Sequence, residues 1–391
     1  MNTQKKLNIA MICDPIGEYK AGAIVSAVRF GELLQKKGHK VVFIGARSKE
    51  NPVDDYFHEM KVFRFRSVPI PKSGGWHTAF PTANEIKKIL KEEQIDVVHI
   101  ILPMSTAIVA IRAARTLGIK VVAHSHSQPE NLFIDAPALL RPVLCSLWNS
   151  YLAWLYRRAE SIVYPSKLGY SLLHHLTEEN KPHMIISNGV SIERYKPMQV
   201  GDFYERFSIP KDTVNIVYVG RLFPEKSVDT LIKAIPGIVE KYPKSHFMIV
   251  GIGYLRQKLE DLATTLGVSN NVTFLTLNDE DKILAYNAGD IFVSPSFAEL
   301  EGMTTLEAMA CGKPIIIPDA PMNASRFFVN ENGLLFEPAN HRDFAEKILR
   351  LVLDGDLRKK MGEKSLAGSK MYDINYSVSK LEELYYSLLS K

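Results

Sequence analysis

The chain has 391 residues, 46% apolar and 23% charged, with a net charge of +5. That length exceeds one ordinary hydrophobic core, and the composition is that of a soluble globular protein, so two α/β domains are expected. No run reaches the roughly 18 uncharged apolar residues that a spanning helix needs. The three cysteines (Cys13, Cys145, Cys311) are too scattered for a disulfide framework or a metal-ligand spacing, and they fit a reducing cytosol. A cytoplasmic protein is expected, at most resting on a membrane. The charge is uneven: residues 1–190 hold 24 Lys+Arg against 16 Asp+Glu, a balance of +8, and residues 191–391 hold 24 against 27, a balance of −3. A basic first half suits nucleic acid, anionic lipid or phosphorylated ligands, or is simply a solvated surface.

In chain order, LNIAMIC (7–13) reads as a strand, followed by a loop at 14–23 and a helix over 24–37. Strands follow at 40–46, 95–101, 120–126 and 161–166, with a helix around 104–117. These near-continuous apolar runs are typical of parallel strands covered on both faces. At SNGVSIERYKP (187–197) the pattern breaks, which places a hinge near 188–200. It restarts with strands at 215–220, 246–253, 271–276, 290–296 and 313–319, and helices over 227–241 and 254–266. The expectation is an α/β chain with one doubly wound domain over 1–190 and another over 191–372. An amphipathic helix over 373–391 either caps the second domain or returns to the first. LDGDLR (353–358) sets two aspartates two apart and reads as a turn, so no metal site is expected.

The strongest chemical signal is SPSFAELEGMTTLEAMACGKPIII (294–317), with Glu299 and Glu307 eight positions apart. A strand precedes them and a helix begins near 303. Glu299 therefore lies in a loop at the carboxyl end of a strand, where open α/β sheets bind ligands, and Glu307 lies near the first turns of the helix. Two such carboxylates can bind sugar and ribose hydroxyls, while amides at Gly302, Met303 and Thr304 face a diphosphate. Taken alone, Glu307 could equally complement the helix dipole.

These motifs resemble the large retaining glycosyltransferase family with the GT-B fold and a Glu-x(7)-Glu pattern (family 4, "group 1"), over nearly the whole chain. GRLFPEK (220–226) is similar to that family's donor-phosphate loop, so the resemblance assigns Gly220, Arg221 and Lys226 to a nucleotide-sugar donor. Two cations there would stabilise the diphosphate leaving group. Ser227 stands where the family commonly has Gly. VGIGYLRQKLE (250–260) resembles the segment lining the base, with Gly251 and Gly253 permitting close approach. SNGVSIERYKP resembles the interdomain hinge, which would carry domain closure. In AHSHSQPEN (123–131), the resemblance puts His126 at the transferred sugar, with His124 as a decoy. Gly22 matches the Gly-rich first loop, although Ala21 replaces a second Gly. The resemblance further implies retention of configuration without a metal or other cofactor, an N-terminal domain that binds acceptor and a C-terminal domain that binds donor. The catalytic set it implies is His126, Arg221, Lys226 and Glu299.

The form SFAELEGMTTLEAMA, with SHSQPEN, is closer to the glycolipid-forming branch, in which diacylglycerol receives glucose. RFRSVPIPKSGGWH (64–77) reads as an exposed loop with Arg, Lys and Trp. LLRPVLCSLWNSYLAWLYRR (139–158) fits either an anionic membrane interface or a buried helix. The expected acceptor is a lipid or a glycan. A polysaccharide or small soluble acceptor stays open, as does a 2-epimerase-like enzyme or a non-catalytic sugar-nucleotide-binding protein. Nucleic acid is disfavoured because no basic stripe interleaves with aromatics. A dehydrogenase would need Gly-x-Gly-x-x-Gly after the first strand, and DPIGEYKAGA lacks it.

Overall fold

The computed structural model describes residues 5–17, 22–48, 51, 53–70, 73 and 75–390. The chain divides into two compact units, Met1–Asn188 with Asn375–Lys391, and Gly189–Ile374.

The first unit holds β1 (Asn8–Ile12), β2 (Lys40–Ala46), β3 (Asp55–Phe57), β4 (Met60–Phe65), a hairpin of β5 (Ser67–Pro69) and β6 (His77–Ala79), then β7 (Val97–Ile100), β8 (Lys120–His124), β9 (Ser161–Tyr164) and β10 (His183–Ile185). Eight of these form one sheet in the order β10-β9-β8-β7-β1-β2-β4-β3, parallel except where β3 meets β4. β1, β7 and β9 are almost wholly buried, as strands covered on both faces must be. The sequence reading passes over β3 and β4. β4 alternates buried and half-buried positions, a weaker signal than a continuous apolar run. It also corrects the reading of 64–77 as an exposed loop. Arg64 is buried, paired with Asp55 at 3.0 Å, and donates to the Ile16 carbonyl at 2.9 Å. Pro71, Lys72 and Gly74 of that segment lie outside the described residues.

The last helix, Ile374–Leu389, sits almost wholly in the first unit. Val378, Leu381 and Tyr385 are buried, and Glu382 pairs with Lys37 at 2.7 Å and with His39 at 2.8 Å.

The second unit holds β11 (Val214–Val219), β12 (Ser245–Val250), β13 (Val272–Leu275), β14 (Ile291–Val293), the short β15 (Ala298–Glu299), β16 (Ile315–Pro318), the short β17 (Met322–Asn323) and β18 (Gly333–Phe336). Its main sheet is fully parallel, β13-β12-β11-β14-β16-β18, so its first strand lies third and the order reverses between β11 and β14. Alternate residues feed opposite faces. Ile216, Tyr218 and Ile249 join Leu231, Ile235 and Phe344, while Val217, Val219 and Met248 join Tyr286, Leu306 and Met309. Asp354 of LDGDLR is a helix N-cap, accepting from the Leu357 amide at 2.8 Å.

Candidate active site

The loops that carry the predicted donor residues leave the carboxyl ends of β11, β12 and β14. The strand-order reversal opens a crevice there, which is the ligand edge of a doubly wound sheet. The β11 loop continues pairing with the β12 loop beyond the strands. Gly220 N donates to Val250 O at 3.0 Å, and Leu222 N to Ile252 O at 2.8 Å. A Cβ on Gly251 would stand 1.8 Å from Gly220 O, and one on Gly253 2.2 Å from Leu222 O. The close approach that these glycines permit in the structure is to the protein's own backbone.

The same crossing turns the chain into a 3-10 turn at Pro224–Lys226. Arg221 pairs with buried Glu225 at 2.8 Å and lies over the Phe223 ring at 4.8 Å. Lys226 donates to Glu299 Oε1 at 2.6 Å, with side chains 14% and 16% exposed. Seventy-three residues separate that pair, and two contacts bring the loops together. Phe297 N donates to Glu225 O at 3.2 Å, and β15 pairs in parallel with β17. Asn323, buried, donates to Ser296 O at 2.5 Å, and Ser325 Oγ to Glu301 O at 3.1 Å. Asn323 and Ser325 are supporting residues that the sequence reading missed. Nothing in APMNASRF marks them, since their partners lie more than twenty residues away.

Gly302 caps the helix Met303–Ala310 at φ 98°, without a side-chain cap bond. A Cβ there would also fall 1.9 Å from Ser325 Oγ. Met303 and Thr304, half-buried, begin the helix, whose first amides form an anion-receptive end. Glu307 behaves differently from Glu299. It is 3% exposed, accepts from Tyr286 Oη at 2.8 Å and has Lys282 Nζ at 3.9 Å. Burial and the adjoining carboxylate hold the Tyr286 phenol well above its usual range.

In the first unit the carboxyl ends of β1, β7 and β8 carry a second polar group. Asp14, buried just past β1, accepts from Ala79 N at 3.1 Å and Thr78 Oγ1 at 3.2 Å. It too was missed, although a carboxylate directly after LNIAMIC was the available signal. The rings of His99 on β7, His124 at the end of β8 and His126 just past it form a stack, with centroids 5.5 Å and 4.0 Å apart. His99 shares a 2.6 Å hydrogen bond with Tyr385 of the last helix. His124 lies in the middle of the stack and His126 at its outer, half-buried end. Gly22 is exposed at the start of the helix Gly22–Lys36, and Ala21 lies outside the described residues.

Against known proteins, residues 21–194 match the model for Glycosyltransferase Family 4, and residues 202–367 match that for Glycosyl transferases group 1. The chain belongs to the group 1, family 4 glycosyltransferases. It is 23% identical to an alpha-monoglucosyldiacylglycerol synthase of Streptococcus pneumoniae, over 94% of this chain and 82% of that one. It is 24% identical to an N-acetyl-alpha-D-glucosaminyl L-malate synthase of Bacillus anthracis, over 98% of each. The fold matches that of Anabaena Alr3699/HepE in complex with UDP-glucose, with a TM-score of 0.79 and 18% identity over 97% of this chain and 100% of that one.

Two predictions arise from this geometry. Ser227 adopts the left-handed conformation (φ 49°, ψ 38°), which favours glycine. A side chain there costs about 1 kcal/mol, so Ser227→Gly should raise stability by up to about 1 kcal/mol in a urea titration.

The histidine stack should make the protein acid-labile. Burial holds His99 and His126 down to about 3 and His124 well below its usual value, with the neighbouring imidazoles adding to the shift at His99 and His124. Unfolded histidines protonate near pH 6.5, so below that pH the unfolded state binds more protons. Stability is therefore full above 6.5 and falls with pH, by up to about 1.4 kcal/mol per unit for each ring. Asp14, raised to about 6 by burial, acts in the opposite sense: its contribution is full below about 3.8 and lost as pH rises to 6. Three rings outweigh one carboxyl. Unfolding free energy should drop by about 3 kcal/mol between pH 7.5 and 5.5, and His124→Phe, which keeps the stack, should recover about a third of that.

Proposed function

We propose that the chain is a retaining hexosyltransferase that moves glucose from a UDP-sugar to a hydroxyl of diacylglycerol or a related membrane lipid, at the cytoplasmic face of an anionic membrane. The observation that carries the donor half is the Lys226–Glu299 pair at 2.6 Å, set on the crevice edge of a parallel sheet beside the helix that Gly302 begins without a side-chain cap. A sugar nucleotide placed there meets a cation and helix amides at its diphosphate and a carboxylate at its sugar. Lys226 then exchanges Glu299 for phosphate oxygen, and Glu299 is freed for a sugar hydroxyl. Arg221 adds a second cation. As the C1–O bond to diphosphate breaks, the acceptor oxygen bonds C1 from the same face, and its proton passes to the departing diphosphate. His126, neutral at physiological pH, faces the electron-poor carbon without adding a positive charge. Arg221 and Lys226 neutralise the leaving group, so no metal is required.

Support for the lipid acceptor comes from relatives named alpha-monoglucosyldiacylglycerol synthase in S. pneumoniae and Acholeplasma laidlawii. Support for UDP-glucose comes from the fold neighbour bound to it. A small soluble acceptor is the second reading, favoured by the L-malate synthase relative that matches at full length.

The test is a transfer screen pairing UDP-glucose, UDP-galactose, UDP-GlcNAc and GDP-mannose with diacylglycerol micelles or soluble acceptors including L-malate, with and without EDTA. UDP release that depends on diacylglycerol and persists in EDTA, with an α-linked product, is expected. Release with soluble acceptors only would replace the lipid reading. Activity lost in EDTA and restored by a divalent ion would overturn metal independence.

A further inference from the structure

The helix Arg141–Arg158 is longer than its place in the sheet requires. Its 18 residues span roughly 27 Å, whereas the four- and five-residue strands β7, β8 and β9 span roughly 13–17 Å. Its second half is anchored: Leu152, Leu155 and Tyr156 are buried, Tyr151 Oη donates to Met104 O at 3.2 Å, and Tyr156 Oη to Ser125 Oγ at 3.2 Å. Both acceptors lie just past the carboxyl ends of β7 and β8, so the first half of the helix overshoots the edge where Asp14 and His126 sit.

That overshoot carries aliphatic side chains in the open. Leu139 is 92% exposed, Leu147 63%, Val143 56% and Leu140 55%. Positions 140, 143 and 147 fall on one helix face. The aromatics instead pack on one another, Trp148 edge-on to Tyr151 and Tyr151 stacked on Trp154, with Arg158 over the Trp154 ring at 4.4 Å. Arg141 donates to the Ile134 carbonyl at 2.6 Å and to that of Ala136 at 3.3 Å, which ties the preceding loop to the helix and presents the leucines on a fixed spur.

We infer that this spur, residues 132–147, inserts into the headgroup–acyl boundary of an anionic bilayer and holds the acceptor edge of the first unit at the lipid surface. An aliphatic patch without hydrogen-bonding groups suits hydrocarbon better than a protein partner, whose contacts favour Tyr, Trp and polar rims. Its area, on the order of 500 Å², is below the roughly 800 Å² per partner of a stable pairing. Within the spur Arg141 balances Asp135, so the attraction to anionic lipid comes from the surrounding half of the chain, residues 1–190, which balances at +8. This deepens the lipid reading above without depending on which sugar is transferred.

The test is co-sedimentation of the full chain with phosphatidylcholine vesicles, with and without phosphatidylglycerol, none of which contains diacylglycerol or donor. The parent should partition into the anionic vesicles, and Leu139→Glu/Leu147→Glu should lower that partition at least tenfold with an unchanged melting temperature. Leu139→Asn keeps the test readable should the double variant fail to fold. Parent protein remaining in the supernatant, or a double variant that partitions as the parent does, would overturn the inference. So would sedimentation velocity showing a parent dimer that the double variant dissociates, which would assign the spur to a second copy. Vesicle binding without transfer to diacylglycerol would leave the spur standing and remove only the acceptor reading.

Discussion

Lys226→Ala lowers kcat/KM for sugar transfer by about 10³-fold, with a melting temperature within about 5 °C of the parent. The size follows from its position. A preorganised cation at a developing phosphate charge, in a site largely closed to water, contributes about 3–4 kcal/mol to the transition state. The side chain reaches that position because Glu299 holds it at 2.6 Å with only 14% of it exposed. Removing the lysine leaves Glu299 without its counter-charge, which accounts for the stability loss allowed above. The double variant Lys226→Ala/Glu299→Ala separates the two effects: it should regain the melting temperature and stay inactive. Turnover at the parent's rate in either the single or the double variant, with the fold intact, would remove the pair from the site. Steady-state assays of UDP release together with thermal melts make the comparison.

Gly251→Ala destabilises the protein by about 3 kcal/mol and weakens donor binding as a consequence. The added methyl would stand 1.8 Å from the Gly220 carbonyl oxygen, a backbone atom that cannot swing aside as a side chain does. The two loops must part, at a cost of about 1–3 kcal/mol or more for a backbone shift in packed structure. The displaced segment is the one that carries Arg221 and Lys226. Urea unfolding and nucleotide-binding calorimetry on the same variant decide between two roles. A stable variant that no longer binds nucleotide would return Gly251 to direct contact with ligand. An unstable one whose remaining folded fraction binds weakly assigns it to loop packing.

Much of the architecture was legible because it is encoded locally. The runs IAMI, VVFIGA, IVYV and FMIV are apolar throughout, and a strand reads that way only when both of its faces are covered. β4 was passed over because its alternation is a half-buried pattern. Arg64 was misread as exposed because nothing near it in the chain announces Asp55 or the Ile16 carbonyl as its partners. Glu307 lies on a helix as its spacing indicated, while Glu299, expected in a loop, lies on the short β15 paired with β17. Only the packing of Tyr286 and Lys282 against Glu307 shows that it is enclosed while Glu299 sits beside Lys226.

The sequence by itself determined two parallel α/β units, the β–loop–helix position of each motif, and the family to which the motifs point. These follow from periodicity, turn residues and spacing, which are properties of short stretches. The tertiary structure alone decided which distant groups meet. It placed Lys226 on Glu299 across 73 residues, set Gly251 and Gly253 beneath the β11 loop, stacked His124 between His99 and His126, and left four aliphatic side chains on an overshooting helix. The reason is physical. Strand order and loop crossing choose partners far apart in the chain, and whether a polar or apolar side chain is enclosed depends on those partners.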